Sequence, residues 1–553
     1  MKTVTIATAL LFALIYLLPL GQRPLVVPDE VRYSEIPREM ISSGNWIVPH
    51  LDGVRYFEKP AVGYWAIAAS MLVFGENAFA ARLPSALSVG VSAILIGLLM
   101  RRAGLGKTAA GLAPAAFLTS LGVFAAGVFN VLDGMFSALV TATIVSFYYA
   151  YQEPDRRRRT LFLAGAGAAC GLAFLVKGLA GPTIVAIVIL PFLAWERRGR
   201  DLLRIAWLPI VVAVLVSLPW SIAIALREHD FWHRFVWVEH FQRFMGSGDE
   251  QHPRPFWYLV PFLLVGTLPW NLFLAAITHG IRRIGLQGSF LRLLICWFVF
   301  PFVFLSLSRG KLPTYVIPCY PPLAILMAAG LVTYLESGKV RLFTIGAALA
   351  AAIAGLGAVF LIVSFRTRWF DLAIFGPTEG WKCALAVVGL AAWVLVLMPA
   401  IKARDHRRKL AWYCAAPILT LLLMPRFFPV EPHAKMMPGP FLQQYADRID
   451  PAALLVSDRA LVHAVCWFYR RDDVFLLAFR AGELEYGLSY KDSSDRLLDL
   501  SGFLNLLGNR SGQRRVIVIL STDVHDMCVR NAAGRLPPTR FEATQDGLWI
   551  GEY

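Results

Sequence analysis

Charge is scarce in this chain. Of 553 residues only 16% are charged and 57% are hydrophobic, with mean hydropathy +0.58. A soluble domain carries roughly 25% charged residues, so an ordinary soluble fold is excluded. Cysteine is sparse as well: the seven thiols include no CxxC pair, which removes the usual zinc and dithiol motifs. Five of them (Cys170, Cys296, Cys319, Cys383 and Cys414) fall in apolar segments and read as small core residues. Cys466 and Cys528 lie in a polar tail and would pair only in an oxidising compartment. GxGxxG, Walker A and kinase patterns are missing, so a nucleotide cofactor has no support, and without HExxH a zinc hydrolase has none either. Lys and Arg number 53 against 37 Asp and Glu, but the basic residues cluster between apolar blocks, which points to membrane lipids and away from nucleic acid.

What is present is a succession of apolar blocks of spanning length. The first, Thr3 to Leu20, follows Lys2 and has no small-x-small cleavage site, so it reads as a retained helix. Others follow near 82–100, 108–126, 132–151, 160–176, 178–195, 205–226, 256–278, 290–307, 313–334, 342–364, 382–401 and 410–424, about thirteen helices in all. The connections after the even-numbered blocks contain Arg101-Arg102-Lys107, Arg156–Arg159, Arg197-Arg198-Arg200-Arg204, Arg282-Arg283-Arg292, Lys339-Arg341 and Lys402-Arg404-Arg407-Arg408-Lys409. All are short and basic, hence cytoplasmic by the positive-inside rule. The loops 21–81 and 227–255, the Arg309-Gly310-Lys311 turn, the segment 365–381 and the tail then lie outside. The expected division is a membrane domain over 1–425 and an outer domain over 426–553. Short apolar runs in the tail (Ala453–Val456, Asp473–Phe479, Arg515–Leu520) alternate with polar turns and predict a small α/β domain. In loop 21–81 the run Ala61–Phe74 reads as a helix lying on the membrane surface.

Ionisable groups at membrane depth are costly, and their placement is informative. Asp133 stands at the outer end of the fourth block and Lys177 at the outer end of the fifth, on the same face as Asp29 and Glu58. Asp133 and Lys177 read either as a structural ion pair or as a carboxylate beside an ammonium that meets a lipid phosphate. Asp29-Glu30 after Pro28 reads as an acidic helix start, or as a carboxylate that orients or deprotonates an acceptor. Tyr56-Phe57-Glu58-Lys59-Pro60 reads as a salt-bridged turn, or as a phosphate-binding Lys59 beside a structural or metal-binding Glu58. Four of the ten histidines (His229, His233, His240, His252) sit in loop 227–255 with Glu239, Asp249 and Glu250. Arg309 and Lys311 read as snorkelling side chains or as phosphate contacts.

The stretch Pro28-Asp29-Glu30-Val31-Arg32-Tyr33-Ser34-Glu35-Ile36-Pro37-Arg38-Glu39-Met40, continuing through Gly44–His50 to Arg55–Pro60, resembles the first periplasmic loop of the bacterial aminoarabinose transferases. These are lipid A-modifying GT-C glycosyltransferases distantly related to protein O-mannosyltransferases. The likeness continues in Val131–Asp133, Phe174–Gly178, Trp237–Phe244, Lys311–Tyr315 and Glu485-Tyr486-Gly487-Leu488, so it covers nearly the whole chain. It implies a polytopic α-helical GT-C fold in the bacterial inner membrane with a small periplasmic α/β domain. The implied donor is undecaprenyl phosphate carrying 4-amino-4-deoxy-L-arabinose, and the implied acceptor a lipid A phosphate. The product would mask phosphate charge and weaken polymyxin binding. By the same resemblance Asp29 is the main catalytic carboxylate, with Asp133 supporting it. Arg32, Tyr33, Tyr56, Lys59, Lys177, Arg309, Lys311 and Tyr315 hold the donor phosphate, and Glu58 with His240 binds a divalent cation such as Zn or Mg/Mn. Two other readings stay open: a GT-C enzyme with a different acceptor, such as a protein hydroxyl, and a lipid flippase. A flippase expects internal repeats and charge at the bilayer midplane; here the charges lie at outer helix ends and no repeat is found.

Overall fold

A computed structural model describes residues 2–242, 245, 253–285, 287–367, 374–509, 515–532 and 534–553. His252, Asp249 and Glu250 of the second outer loop lie outside the described residues. The chain divides into two compact units. One comprises residues 1–20, 82–369 and 381–427, and the other 21–81, 370–380 and 428–553. The loop 21–81 is thus grouped with the tail, whereas the sequence-based division placed it with the membrane helices.

The first unit is a bundle of apolar helices, and the protein is a multi-pass membrane protein. Among the described residues nine helices are long and apolar enough to span a bilayer, or up to eleven if each of two bent pairs counts once. All thirteen expected segments are helical, but the count of thirteen is not confirmed, because Thr5–Leu17 and Ala180–Trp195 are shorter than the spanning helices. The bent pairs show how a broken helix survives in an apolar setting. Lys107–Leu118 and Leu121–Val128 meet at 58°. In the break, Thr119 and Ser120 hydroxyls donate to the carbonyls of Ala115 and Ala116, and Trp270 Nε1 donates to Thr119 Oγ1 at 2.9 Å. The Ser120 hydroxyl thus occupies the Ala116 carbonyl, whose regular partner Ser120 N–H turns to Phe117 O, while Ala115 O keeps its bond from Thr119 N–H and accepts the hydroxyl in addition. The second bend, 89° between Phe256–Gly266 and Trp270–Ile284, is treated likewise: the Thr267 hydroxyl donates to Leu263 O. Helix 204–227 is only 11% buried over its most apolar window, and Trp207, Leu215 and Leu226 are exposed, as a lipid-facing surface requires.

In the second unit, Pro28 precedes helix Asp29–Ser43, whose first turn carries Asp29 and Glu30 and whose end is set by Gly44. The acidic start suits the unpaired N–H groups of the first turn. A short antiparallel hairpin follows, β1 His50–Leu51 and β2 Val54–Arg55, and then helix Val62–Phe74. The run Ala61–Phe74 is therefore helical as expected, with Leu72, Val73 and Phe74 exposed at its end. The tail forms a six-stranded sheet ordered β5-β4-β3-β6-β8-β7. Its strands are β3 Leu454–Asp458, β4 Phe475–Leu477, β5 Leu497–Leu498, β6 Val516–Ser521, β7 Phe541–Gln545 and β8 Leu548–Glu552. Neighbours β5 to β6 run parallel, and β8 and β7 are antiparallel. Strands β3 and β6 are buried at every position, with apolar runs Leu454–Val456 and Val516–Leu520 of the kind expected in the interior of a parallel sheet. The α/β expectation holds, and its three apolar runs coincide with β3, β4 and β6. Cys466 and Cys528 are free thiols, both buried, so no disulfide joins them.

Candidate active site

The first unit places Asp133 in the opening turn of helix Leu132–Gln152 and Lys177 at the last position of helix Arg156–Lys177. Each charge opposes the partial charge of its own helix end, a favourable arrangement. These antiparallel neighbours bring the two residues into a direct ion pair between side chains only 12% and 14% exposed. The Lys177 ammonium also lies 4.4 Å from the Tyr315 ring centre and 5.5 Å from that of Phe136. Asp133, Lys177 and Tyr315 are thus brought together. Gly178 follows with φ +68°, and a Cβ there would lie 2.4 Å from His240 Nε2. His240 therefore packs directly on the turn that ends the Lys177 helix.

That packing occupies His240. Its Nε2 accepts from Leu179 N–H at 3.1 Å, and its Nδ1 donates to Phe235 O at 2.8 Å. Glu58 faces Lys59 at 3.8 Å. A divalent cation needs a ring nitrogen with an unused lone pair, and His240 offers none in this arrangement. The implied metal pair does not fit the residues as they stand. Lys311 is buried and its ammonium donates to the carbonyls of Arg254 and Pro255 at 2.9 and 3.2 Å, which ties two segments of the bundle together. Arg309 is exposed beside it.

The second unit gathers Asp29, Arg32, Tyr33 and Tyr56. Arg32 forms ion pairs with Asp29, one turn earlier on its helix, and with Glu483 in the tail. Its guanidinium lies 5.0 Å from the Tyr33 ring centre, and its buried Nε–H has no partner among the described residues. Tyr56 is buried and its hydroxyl donates to Glu483 at 3.4 Å. Glu483 also accepts from His463 Nε2 at 2.9 Å, and His463 Nδ1 bonds Asp52 at 2.6 Å. Burial acts to raise the Glu483 pKa, yet the Arg32 guanidinium and His463 outweigh it and hold the carboxyl well below the usual range. Burial acts to lower His463, but Asp52 and Glu483 lift it to about 10. One turn further along the helix, Arg38 binds Glu35 through two bonds of 2.8 and 2.6 Å, while both Glu39 oxygens accept from Gly53 N–H. Burial pushes Glu35 up to about 7 and Glu39 up as well.

Glu483, His463 and Asp52 were missed in the sequence. One signal was available: Glu483 lies two residues before the Glu485–Leu488 motif. A Cβ on Gly487 would come within 2.4 Å of Arg55 O, so this motif is the seat that sets the tail on the β1–β2 hairpin and delivers Glu483 to Arg32.

Residues 2–235 match a family model described as dolichyl-phosphate-mannose-protein mannosyltransferase, and residues 433–550 match that of the arabinosyl transferase ArnT C-terminal domain. A protein of Shewanella sediminis named undecaprenyl phosphate-α-4-amino-4-deoxy-L-arabinose arabinosyl transferase is 39% identical over 514 residues, 92% of each chain. One of the same name from Aeromonas salmonicida is 38% identical over 540 residues, 97% of this chain and 96% of the other. The crystal structure of ArnT from Cupriavidus metallidurans bound to undecaprenyl phosphate superposes with TM-score 0.84 at 24% identity, covering 100% of this chain and 97% of that one. That likeness confirms the fold, while the sequence relatives carry the assignment: the chain belongs to the family of undecaprenyl phosphate-α-4-amino-4-deoxy-L-arabinose arabinosyl transferases.

Proposed function

We propose that this protein moves 4-amino-4-deoxy-L-arabinose from undecaprenyl phosphate to phosphate groups of lipid A on the periplasmic side of the inner membrane. The observation that carries this reading is Arg32. It is anchored on two carboxylates, Asp29 and Glu483, and keeps a buried Nε–H without a partner among the described residues, ready for an anionic oxygen. Names of relatives at 36–39% identity supply the sugar and its carrier. The six basic connections support placing Asp29, Asp133 and Lys177 on the outer face.

In the reaction an oxygen of the acceptor phosphate attacks the sugar's anomeric carbon, and the bond from that carbon to the carrier phosphate oxygen breaks. The electron pair leaves with undecaprenyl phosphate. Negative charge grows on the departing phosphate, and fixed cations aimed there lower the barrier. Arg32 and Lys59 of the second unit take that role, with Tyr33 and Tyr56 shaping their surroundings; in the first unit Lys177, beside Tyr315, offers the same chemistry. An acceptor phosphate is already anionic near neutral pH, so Asp29 serves to position rather than to remove a proton. Asp133 orients Lys177 by pairing with it. The product places an amine over a lipid A phosphate and so weakens capture of polymyxin and other cationic peptides.

The test uses the purified full-length chain in proteoliposomes with lipid A and radiolabelled undecaprenyl-phosphate aminoarabinose. Label appearing on lipid A, and lost with Asp29→Ala, supports the proposal. Label moving to protein hydroxyls instead, or unaltered lipid A modification in cells carrying Asp29→Ala, overturns it.

A further inference from the structure

The second unit contains a buried imidazole that the reaction does not use directly. His463 sits in helix Val462–Tyr469 of the tail, 2% exposed, with one ring nitrogen on Asp52 and the other on Glu483. Asp52 is also 2% exposed and occupies the β1–β2 turn with φ 56°. Both partners of the ring are carboxylates, which accept and do not donate when ionised. With both carboxylates ionised, a ring bonded to two such acceptors carries two protons and is an imidazolium. Beyond Glu483 the series continues to Arg32 and Asp29. Charges then alternate in sign along five residues drawn from the first loop and the tail.

We propose that Asp52 and His463 form a positioning dyad that holds the Glu483 carboxylate against Arg32 and thereby aims the guanidinium at the donor phosphate. Neither residue touches substrate; both act through Glu483. This rests on the reading of Arg32 given under Proposed function. The physical need is clear. Glu483 is mostly buried, and a carboxylate there stays ionised only beside a paired cation with its oxygens hydrogen-bonded. Arg32 supplies one, but Arg32 is also drawn towards Asp29. The imidazolium fixes the far side of Glu483, and Asp52 fixes the imidazolium. The lifted His463 pKa of about 10 agrees with a ring that stays charged throughout the working range. The groups facing the dyad are Glu483 and Asp52 on the ring, Arg32 and Tyr56 beyond Glu483, and Glu35, Glu39 and the Cys466 thiol beyond Asp52.

The experiment measures kcat/KM for sugar transfer with the full-length chain, undecaprenyl-phosphate aminoarabinose and lipid A. His463→Asn, His463→Gln, Glu483→Gln, Arg32→Lys and the double variant His463→Asn/Glu483→Gln are compared. Loss of one charge-assisted bond predicts about a tenfold drop for His463→Asn. Gln places an amide donor where Nε2 stood, so His463→Gln retains more activity, falling about threefold. In the Glu483→Gln background, His463→Asn should change kcat/KM by less than about twofold, since residues acting as one unit are not additive. Equal losses from His463→Asn in both backgrounds, or no loss in either, overturn the dyad. Arg32→Lys separates the two levels. If it leaves transfer intact, the reading of Arg32 fails and the dyad with it. If it cripples transfer while the His463 effect is independent of Glu483, the dyad alone fails.

Discussion

Arg32→Lys keeps the charge and removes the fork, so it isolates what the guanidinium does. The Asp29 arm of the bridge is weak in stability: its carboxylate side chain is 49% exposed, and pairs of that kind contribute roughly 0–1 kcal/mol. The Glu483 arm is the buried one, at 16% exposure, and a lysine ammonium can still reach a single carboxylate. The folded state should therefore lose little. The buried Nε–H is another matter, because it has no partner among the described residues and lysine has no equivalent of it. If that donor meets the donor phosphate, its loss removes one charge-assisted hydrogen bond of about 1.5–3 kcal/mol. The expected cost is about ten- to 150-fold in kcat/KM. The assay is transfer of labelled aminoarabinose to lipid A in proteoliposomes, with thermal unfolding in detergent measured on the same preparations. Activity within threefold of the parent would refute the reasoning, and so would an activity loss matched by a large drop in unfolding temperature.

Stability should depend on pH through Glu35. Its carboxyl titrates near 4.5 when unfolded and near 7 when folded, because burial outweighs Arg38. Between those values the folded chain binds more protons than the unfolded one, so stability falls as pH rises from 4.5 to 7 and levels off above. Glu39 adds in the same direction, and Glu35→Gln should reduce the slope in thermal melts; a slope of opposite sign would contradict the burial. Lys177→Met leaves Asp133 unpaired in an apolar setting and should cost roughly 3–5 kcal/mol. Adding Asp133→Asn should recover the unfolding temperature without recovering transfer, which separates the structural from the functional part of the pair. Chelator treatment should leave transfer unchanged, since His240 spends both ring nitrogens on backbone groups; activity that is lost to a chelator and regained with zinc would show that the His240 arrangement opens. Gly487→Ala should lower both transfer and unfolding temperature, because the added methyl meets Arg55 O and Val54 and unseats the segment that carries Glu483.

Much of this protein is written along the chain. Long apolar blocks specify helices locally, and clusters of arginine assign the connections to one face, since both signals depend only on neighbouring residues and the bilayer. The tail's strands were legible for the same reason, as short apolar runs between polar turns. Asp29, Arg32, Tyr33 and Tyr56 stood out by their place in a long motif, and Asp133 and Lys177 by the cost of charge at membrane depth. Tertiary structure alone decided that the first loop packs with the tail, that His240 is spent on Phe235 and Leu179, and that Lys311 ties down two carbonyls. It alone brought Glu483 to Arg32 on the first-loop helix and His463 to Asp52 in the β1–β2 turn, each more than 400 residues earlier. A polar residue in a polar tail carries no local mark of burial. Its role is set by which charges it meets, and that meeting is a property of the folded chain.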